Sequence, residues 1–91
     1  MQIELLESFR RVVRKLPKSR RRDIARAIDA VRDEFGRPHL HSGLGIRRLR
    51  QNYFECRAGI DTRLVFRAER GRIIFFTAGT HDAIRKLLKE L

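Results

Sequence analysis

Three histidines, His39, His41 and His81, supply the side chains of this 91-residue chain that can carry a proton either way near neutral pH. Arg57, Arg63 and Arg67 fall in a stretch whose apolar residues alternate, which sets the arginines on one face of a sheet, with Asp61 in the bend between the first two. Histidines beside arginines suit one reaction well. Cleaving a phosphodiester through its own 2′-hydroxyl needs a base for that hydroxyl, an acid for the leaving 5′-oxygen, and cations for the charge growing on the pentavalent phosphorus. Imidazole and guanidinium supply all of these without a metal ion. Tyr53 shares the arginine face and can stack a base. Each residue also has an ordinary use: Asp61 as a hairpin-loop acid, Tyr53 as sheet-edge packing, His39 and His41 as plain loop residues, His81 as a local helix contact.

Overall charge points the same way. Lys and Arg number 22 against 11 Asp and Glu, a formal net charge of +11, and the excess is carried by 18 arginines against 4 lysines. Arginine grips phosphate oxygens bidentately and stacks on bases, so the bias favours nucleic acid or an acidic protein as partner, against the plainer reading of solubility and Arg-rich codon usage. The lone Cys56 has no partner for an internal disulfide, and no C-x-x-C pair or Cys/His cluster has zinc-ligand spacing. No metal and no cofactor are expected. The N-terminus lacks a signal peptide's apolar stretch and no apolar run approaches a membrane span, so the expected compartment is the cytoplasm, without a membrane partner.

The elements that position these residues can be read from periodicity. Ile3 and Leu5 suggest a short first strand. Leu6, Phe9, Val12, Val13 and Leu16 recur at helical spacing until Pro17, giving a first helix over 7–16. Ser19 is the expected cap of a second, carrying the stripe Ile24, Ala27, Ile28, Val31 and Phe35 and ending at Gly36. The two form a helical hairpin, with the charge run 18–22 as its solvated turn. Residues 36–45 read as a loop. Three antiparallel strands then follow over 53–58, 62–69 and 72–78. A two-residue turn at Arg70-Gly71 pairs Phe66 with Phe75, Leu64 with Thr77, Val65 with Phe76 and Arg63 with Ala78. A three-residue loop at 59–61 sets Phe54 opposite Phe66 and Arg57 opposite Arg63. Like charges across a ladder repel, which favours an anion seated between them. Thr80 caps a last helix, with Asp82 in its first turn and His81 at its start, where the positive end of the helix dipole disfavours imidazolium. The expectation is one α+β domain over residues 1–91: an N-terminal helical hairpin on a small antiparallel sheet, with a C-terminal helix.

The ordered segments Gly43-Leu44, Arg47-Arg48-Leu49, Tyr53-Phe54-Glu55-Cys56-Arg57, Asp61-Thr62-Arg63-Leu64-Val65-Phe66 and Gly79-Thr80-His81-Asp82 resemble the RelE/ParE toxin superfamily of type II toxin–antitoxin systems. The resemblance spans nearly the whole chain and leans to the RelE/YafQ-like mRNA endonucleases. It implies catalytic roles for His81, Asp61 and Arg63, and for Arg57 at a position where that branch carries histidine. It implies RNA contacts from Arg67, Tyr53, His39, His41, Arg47, Arg48 and Arg85, the last replacing a late-helix aromatic; the strand lysines of RelE are missing. Cleavage of mRNA on the ribosome, inhibition of translation and restraint by an acidic antitoxin are the implied activity and partners. The alternatives are a ParE-like inhibitor of gyrase without nuclease activity and a catalytically inactive RNA-binding relative.

Overall fold

A computed structural model describes residues 1–37 and 43–90; His39 and His41 lie outside the described residues. In chain order the elements are β1 (Gln2–Leu5), α1 (Glu7–Arg14), α2 (Lys18–Glu34), β2 (Arg47–Arg50), β3 (Tyr53–Ala58), β4 (Thr62–Glu69), β5 (Arg72–Thr80) and α3 (His81–Glu90). The strands form one sheet in the order β1-β5-β4-β3-β2. The meander is antiparallel, whereas β1 runs parallel to β5.

The α+β class and the C-terminal helix agree with the expectation, but the sheet is larger and mixed. The first strand precedes the two helices and closes one edge, and β2 closes the other. The four residues Arg47–Arg50 carry three arginines and show no apolar alternation to mark them as a strand. They pair with β3 through backbone bonds and break register between Arg48 and Arg50. Charge and irregularity of this kind are ordinary on an edge strand. The run 18–22 is also not a turn: it forms the first turns of α2, which starts at Lys18 with Pro17, not Ser19, at the cap position. Cations crowd the positive end of that helix dipole, an unfavourable arrangement that an acid from elsewhere must offset.

Helices α1 and α2 cover one face of the sheet, α1 against β5 and α2 against β3. Phe9, Ile24, Val31, Cys56, Leu64, Phe66, Ile73 and Phe75 are all fully buried there. Rings run in contact from Phe9 to Phe75 to Phe66 to Phe54, at centroid separations of 5.5, 5.3 and 5.6 Å. Phe35 at the end of α2 closes the row edge-on against Phe54 and Phe66. A fully buried phenylalanine contributes about 1.5–3 kcal/mol, so this row accounts for much of the fold's stability. Burial, first, pushes the Cys56 thiol up to about 12, which leaves it an inert core residue.

The β3–β4 register is as expected, with Phe54 opposite Phe66 and Arg57 opposite Arg63. A β-bulge between Val65 and Phe66 shifts the β4–β5 register beyond that point. Leu64 therefore faces Ala78 instead of Thr77, Val65 faces Thr77 instead of Phe76, and Arg63 faces Gly79 instead of Ala78. One extra residue in β5 cannot be seen in alternation, because Phe76 and Thr77 suit either strand face. The shift has a positional result. It puts a glycine beside Arg63, and a side chain there would meet Ala83 and Ile84, so α3 packs directly over that spot on the sheet's second face.

Candidate functional site

The second face of the sheet is arranged in rows. Arg57, Arg63 and Gly79 lie side by side across β3, β4 and β5, and Glu55, Val65 and Thr77 form the next row. Arg63 is half-buried, and no acid pairs with it among the described residues. Arg57 is likewise without an acid partner, its guanidinium lying over Gly45, where a β-carbon would come within 3.1 Å of its Nε. A partly desolvated cation normally has a counter-charge. Arg63 is such a cation, and with the exposed Arg57 opposite it defines a place for an anion.

His81 begins α3, two residues beyond Gly79. The helix starts where expected, because Thr80 Oγ1 accepts a hydrogen bond from the Ala83 amide at 3.1 Å. The imidazole is half-buried with its Nδ1 enclosed and without a hydrogen-bond partner. An N–H at that atom would be buried and unsatisfied, at a cost of about 1–3 kcal/mol. Enclosure of Nδ1 leaves Nε2 as the ring nitrogen that can reach a substrate.

Asp61 is engaged elsewhere. Arg20 of α2 donates to both its oxygens, at 2.5 and 3.0 Å, and also to Thr62 Oγ1 at 3.0 Å. The hydrogen bond from Arg20, above all, lowers the Asp61 carboxyl below its usual range and makes it a poorer proton acceptor. This pair supplies the acid that the cation-rich start of α2 requires. The same junction explains Gly59, whose φ is +82° and whose added β-carbon would lie 2.7 Å from the Asp23 carboxylate.

The remaining arginines divide by partner. Arg67 lies over the rings of Tyr53 and Phe76, 5.9 and 5.3 Å from their centroids, with its Nε 3.1 Å from Glu69 but unaligned for a hydrogen bond. Tyr53 is thus packed against Phe76 at 5.4 Å. Arg48 donates to the Gln51 carbonyl, and exposed Arg85 has no acid partner among the described residues. Arg47 pairs with Glu55 at 2.8 Å. Glu55 was not among the residues expected at the site, yet its side chain is buried on the arginine face. Alternation does place it there, between Tyr53 and Arg57, and an acid among aligned arginines is the signal that would have found it.

Beside these charges, between β2 and α3, runs an apolar groove of about 570 Å³ lined by Leu49, Tyr53, Val65, Phe76, Leu87 and Leu88. Among the described residues no cluster of His, Cys, Asp or Glu is placed to hold a metal ion, and no helix is long and apolar enough to cross a membrane.

No protein-family model matches the chain, and no curated protein matches it by sequence. Solved structures do. The RelB–RelE antitoxin–toxin complex from Methanococcus jannaschii aligns with a TM-score of 0.71 at 19% identity, over 92% of this chain and 96% of that one. YafQ from E. coli strain BL21(DE3) aligns at 0.69 and 16% identity, over 91% and 96%. A YoeB/ParE toxin from Agrobacterium tumefaciens aligns at 0.62 and 21%, over 89% and 99%. From end to end, at low sequence identity, this chain has the fold of the RelE/ParE-superfamily toxins.

Proposed function

We propose that the chain is the toxin of a type II toxin–antitoxin system, an endoribonuclease that cleaves mRNA on the ribosome and so stops translation in the cytoplasm. The observation that carries this is Arg63, a half-buried cation with no acid partner among the described residues, set between an equally unpaired Arg57 on β3 and Gly79 on β5, two residues before His81. Arg63 and Arg57 hold the scissile phosphate and stabilise the charge that develops on it. His81 presents Nε2–H to the departing 5′-oxygen, in the way a neutral imidazole at a helix N-terminus acts as an electrophile. The cationic side chains take the part a metal would otherwise play. Exposed Arg48 and Arg85 extend the basic surface to the flanking RNA and the ribosome, a use that the net charge of +11 supports.

The partner that restrains it is an acidic antitoxin. Its apolar side chains fill the groove at Leu49, Leu87 and Leu88, and its carboxylates meet the arginines alongside. The RelB–RelE complexes among the similar structures support this reading.

Induced expression without a partner, followed by mapping of mRNA 5′ ends, tests the proposal. Growth arrest with new internal 5′ ends is expected. Arrest with gyrase poisoned and no new ends would overturn the nuclease in favour of gyrase inhibition, and undisturbed growth at high soluble yield would overturn both.

A further inference from the structure

Cleavage through a 2′-hydroxyl needs a proton acceptor, and the two residues first expected to serve are poorly placed for it. His81 has Nδ1 enclosed without a partner, so only Nε2 is open to substrate, and that atom is already assigned to the leaving oxygen. Asp61 is held by Arg20 through both oxygens. A third candidate remains on the arginine face. Glu55 is 3% exposed, the buried acid of the described residues. It sits one row from Arg57 and Arg63, diagonal to Arg63 at roughly the 7–8 Å spacing of such neighbours in an antiparallel pair.

Its partner is unequal to it. The Glu55 side chain is 4% exposed, whereas that of Arg47, 2.8 Å away, is 63% exposed and rises from the edge strand. A pair with one member in water is no strong source of stability, and a buried acid could be replaced by an apolar residue at little cost. Arg47 is, however, free to exchange a carboxylate for a phosphate, which its planar fork binds equally well. Once it moves, Glu55 is left as an uncompensated carboxylate in a poorly solvated position, and accepting a proton relieves it.

We propose that Glu55 is the proton acceptor of the cleavage, held in reserve by Arg47 until a substrate phosphate draws that arginine away. This rests on the nuclease reading above. In the step, the 2′-oxygen loses its proton to Glu55 and bonds to phosphorus, and the bond from phosphorus to the 5′-oxygen breaks. The leaving oxygen, held by His81, takes a proton from water, and Glu55 later returns its own to solvent. The products are a 2′,3′-cyclic phosphate and a 5′-hydroxyl. The groups that face Glu55 are Arg47 on β2, Tyr53 and Arg57 on its own strand, and Arg63 and Arg67 on either side of Val65 on β4; β5 brings Thr77, and His81 stands beyond at the start of α3.

The test is cleavage of ribosome-bound mRNA by the purified chain, with a 2′-deoxy nucleotide at the scissile position as control. Glu55→Gln keeps a hydrogen bond to Arg47 but cannot take a proton. It should lower kcat by about 10²- to 10⁴-fold, the range of a lost general base, and abolish the acid limb of the pH–rate profile. KM should stay within about threefold of wild type, the sign of a group that acts in the transition state. Arg47→Ala should do the reverse, raising KM by about tenfold or more, because the substrate phosphate loses the arginine it draws away from Glu55. If Glu55→Gln does not fold, Arg47→Ala decides: an unchanged KM overturns the proposal. Wild-type cleavage with Glu55→Gln equally fast removes Glu55 and leaves the nuclease standing. A wild-type chain that cuts no RNA removes both.

Discussion

The two faces of the sheet solve different problems with the same strands. Toward α1 and α2 the core is apolar and enclosed, and Phe9, Phe66 and Phe75 fix one another in a continuous row. Toward α3 the same strands carry Arg57, Arg63, Arg67 and Glu55, and only part of that charge is satisfied. Arg67 is spent on Tyr53 and Phe76, while Arg57 and Arg63 wait for a partner. The difference separates packing from unpaired charge. Packing on the first face is complete enough to hold unsatisfied charge on the second, a local violation of sound folding rules of the kind that marks working surfaces.

The sharpest way to break this division is to remove charge from the second face alone. Arg63→Ala and His81→Ala should each lower mRNA cleavage by about 10²- to 10⁴-fold while thermal denaturation stays within about 1 kcal/mol of wild type. A variant that unfolds instead would make the residue structural. On the other face the expectation reverses. Phe66→Ala, at the centre of the ring row, should cost about 3–5 kcal/mol in denaturant titration, and any activity lost should return in proportion to the folded fraction. Smallest is the effect of the Arg20 to Asp61 pair, which joins helix to loop at the sheet's end. Because this pairing lowers the Asp61 carboxyl, its contribution is fully present above the unfolded-state value near 3.9, and is lost as pH falls through the lower folded value. Asp61→Asn should therefore flatten the fall in melting temperature on going below about pH 4, and leave cleavage at neutral pH nearly unchanged. Loss of cleavage in that variant would return Asp61 to the reaction.

What could be read in the sequence was whatever repeats locally. Phe54, Cys56, Leu64 and Phe66 alternate, so the three long strands and the facing of Arg57 and Arg63 follow from period alone. Edges and irregularities do not repeat. Arg47–Arg50 is a strand because β3 offers it a backbone ladder, not because of its side chains, and the bulge beside Phe66 moves Arg63 against Gly79 without altering the composition. The grip of Arg20 on Asp61 joins residues far apart in sequence, which no short-range pattern can reveal. The basic character, Arg63 and the start of α3 at His81 were legible; the enclosure of His81 Nδ1 and the burial of Glu55 needed three dimensions.

The parallel pairing of β1 with β5 has a consequence for the order of assembly. It joins Gln2 to Arg72 and Leu5 to Phe75, so β1 can find its place only after β5, some seventy residues later, has been made. Such distant closure is slow compared with the formation of helices and neighbouring hairpins. While β5 is still inside a translating ribosome, β1 has no ladder to join, and the row of rings lacks Phe75. A nascent chain at that stage cannot yet set Gly79 beside Arg63 or start α3 at His81. Its topology thus delays assembly of the arginine face until β5 has been made and released, so the charged surface is built last, on a sheet whose far edge has only just closed.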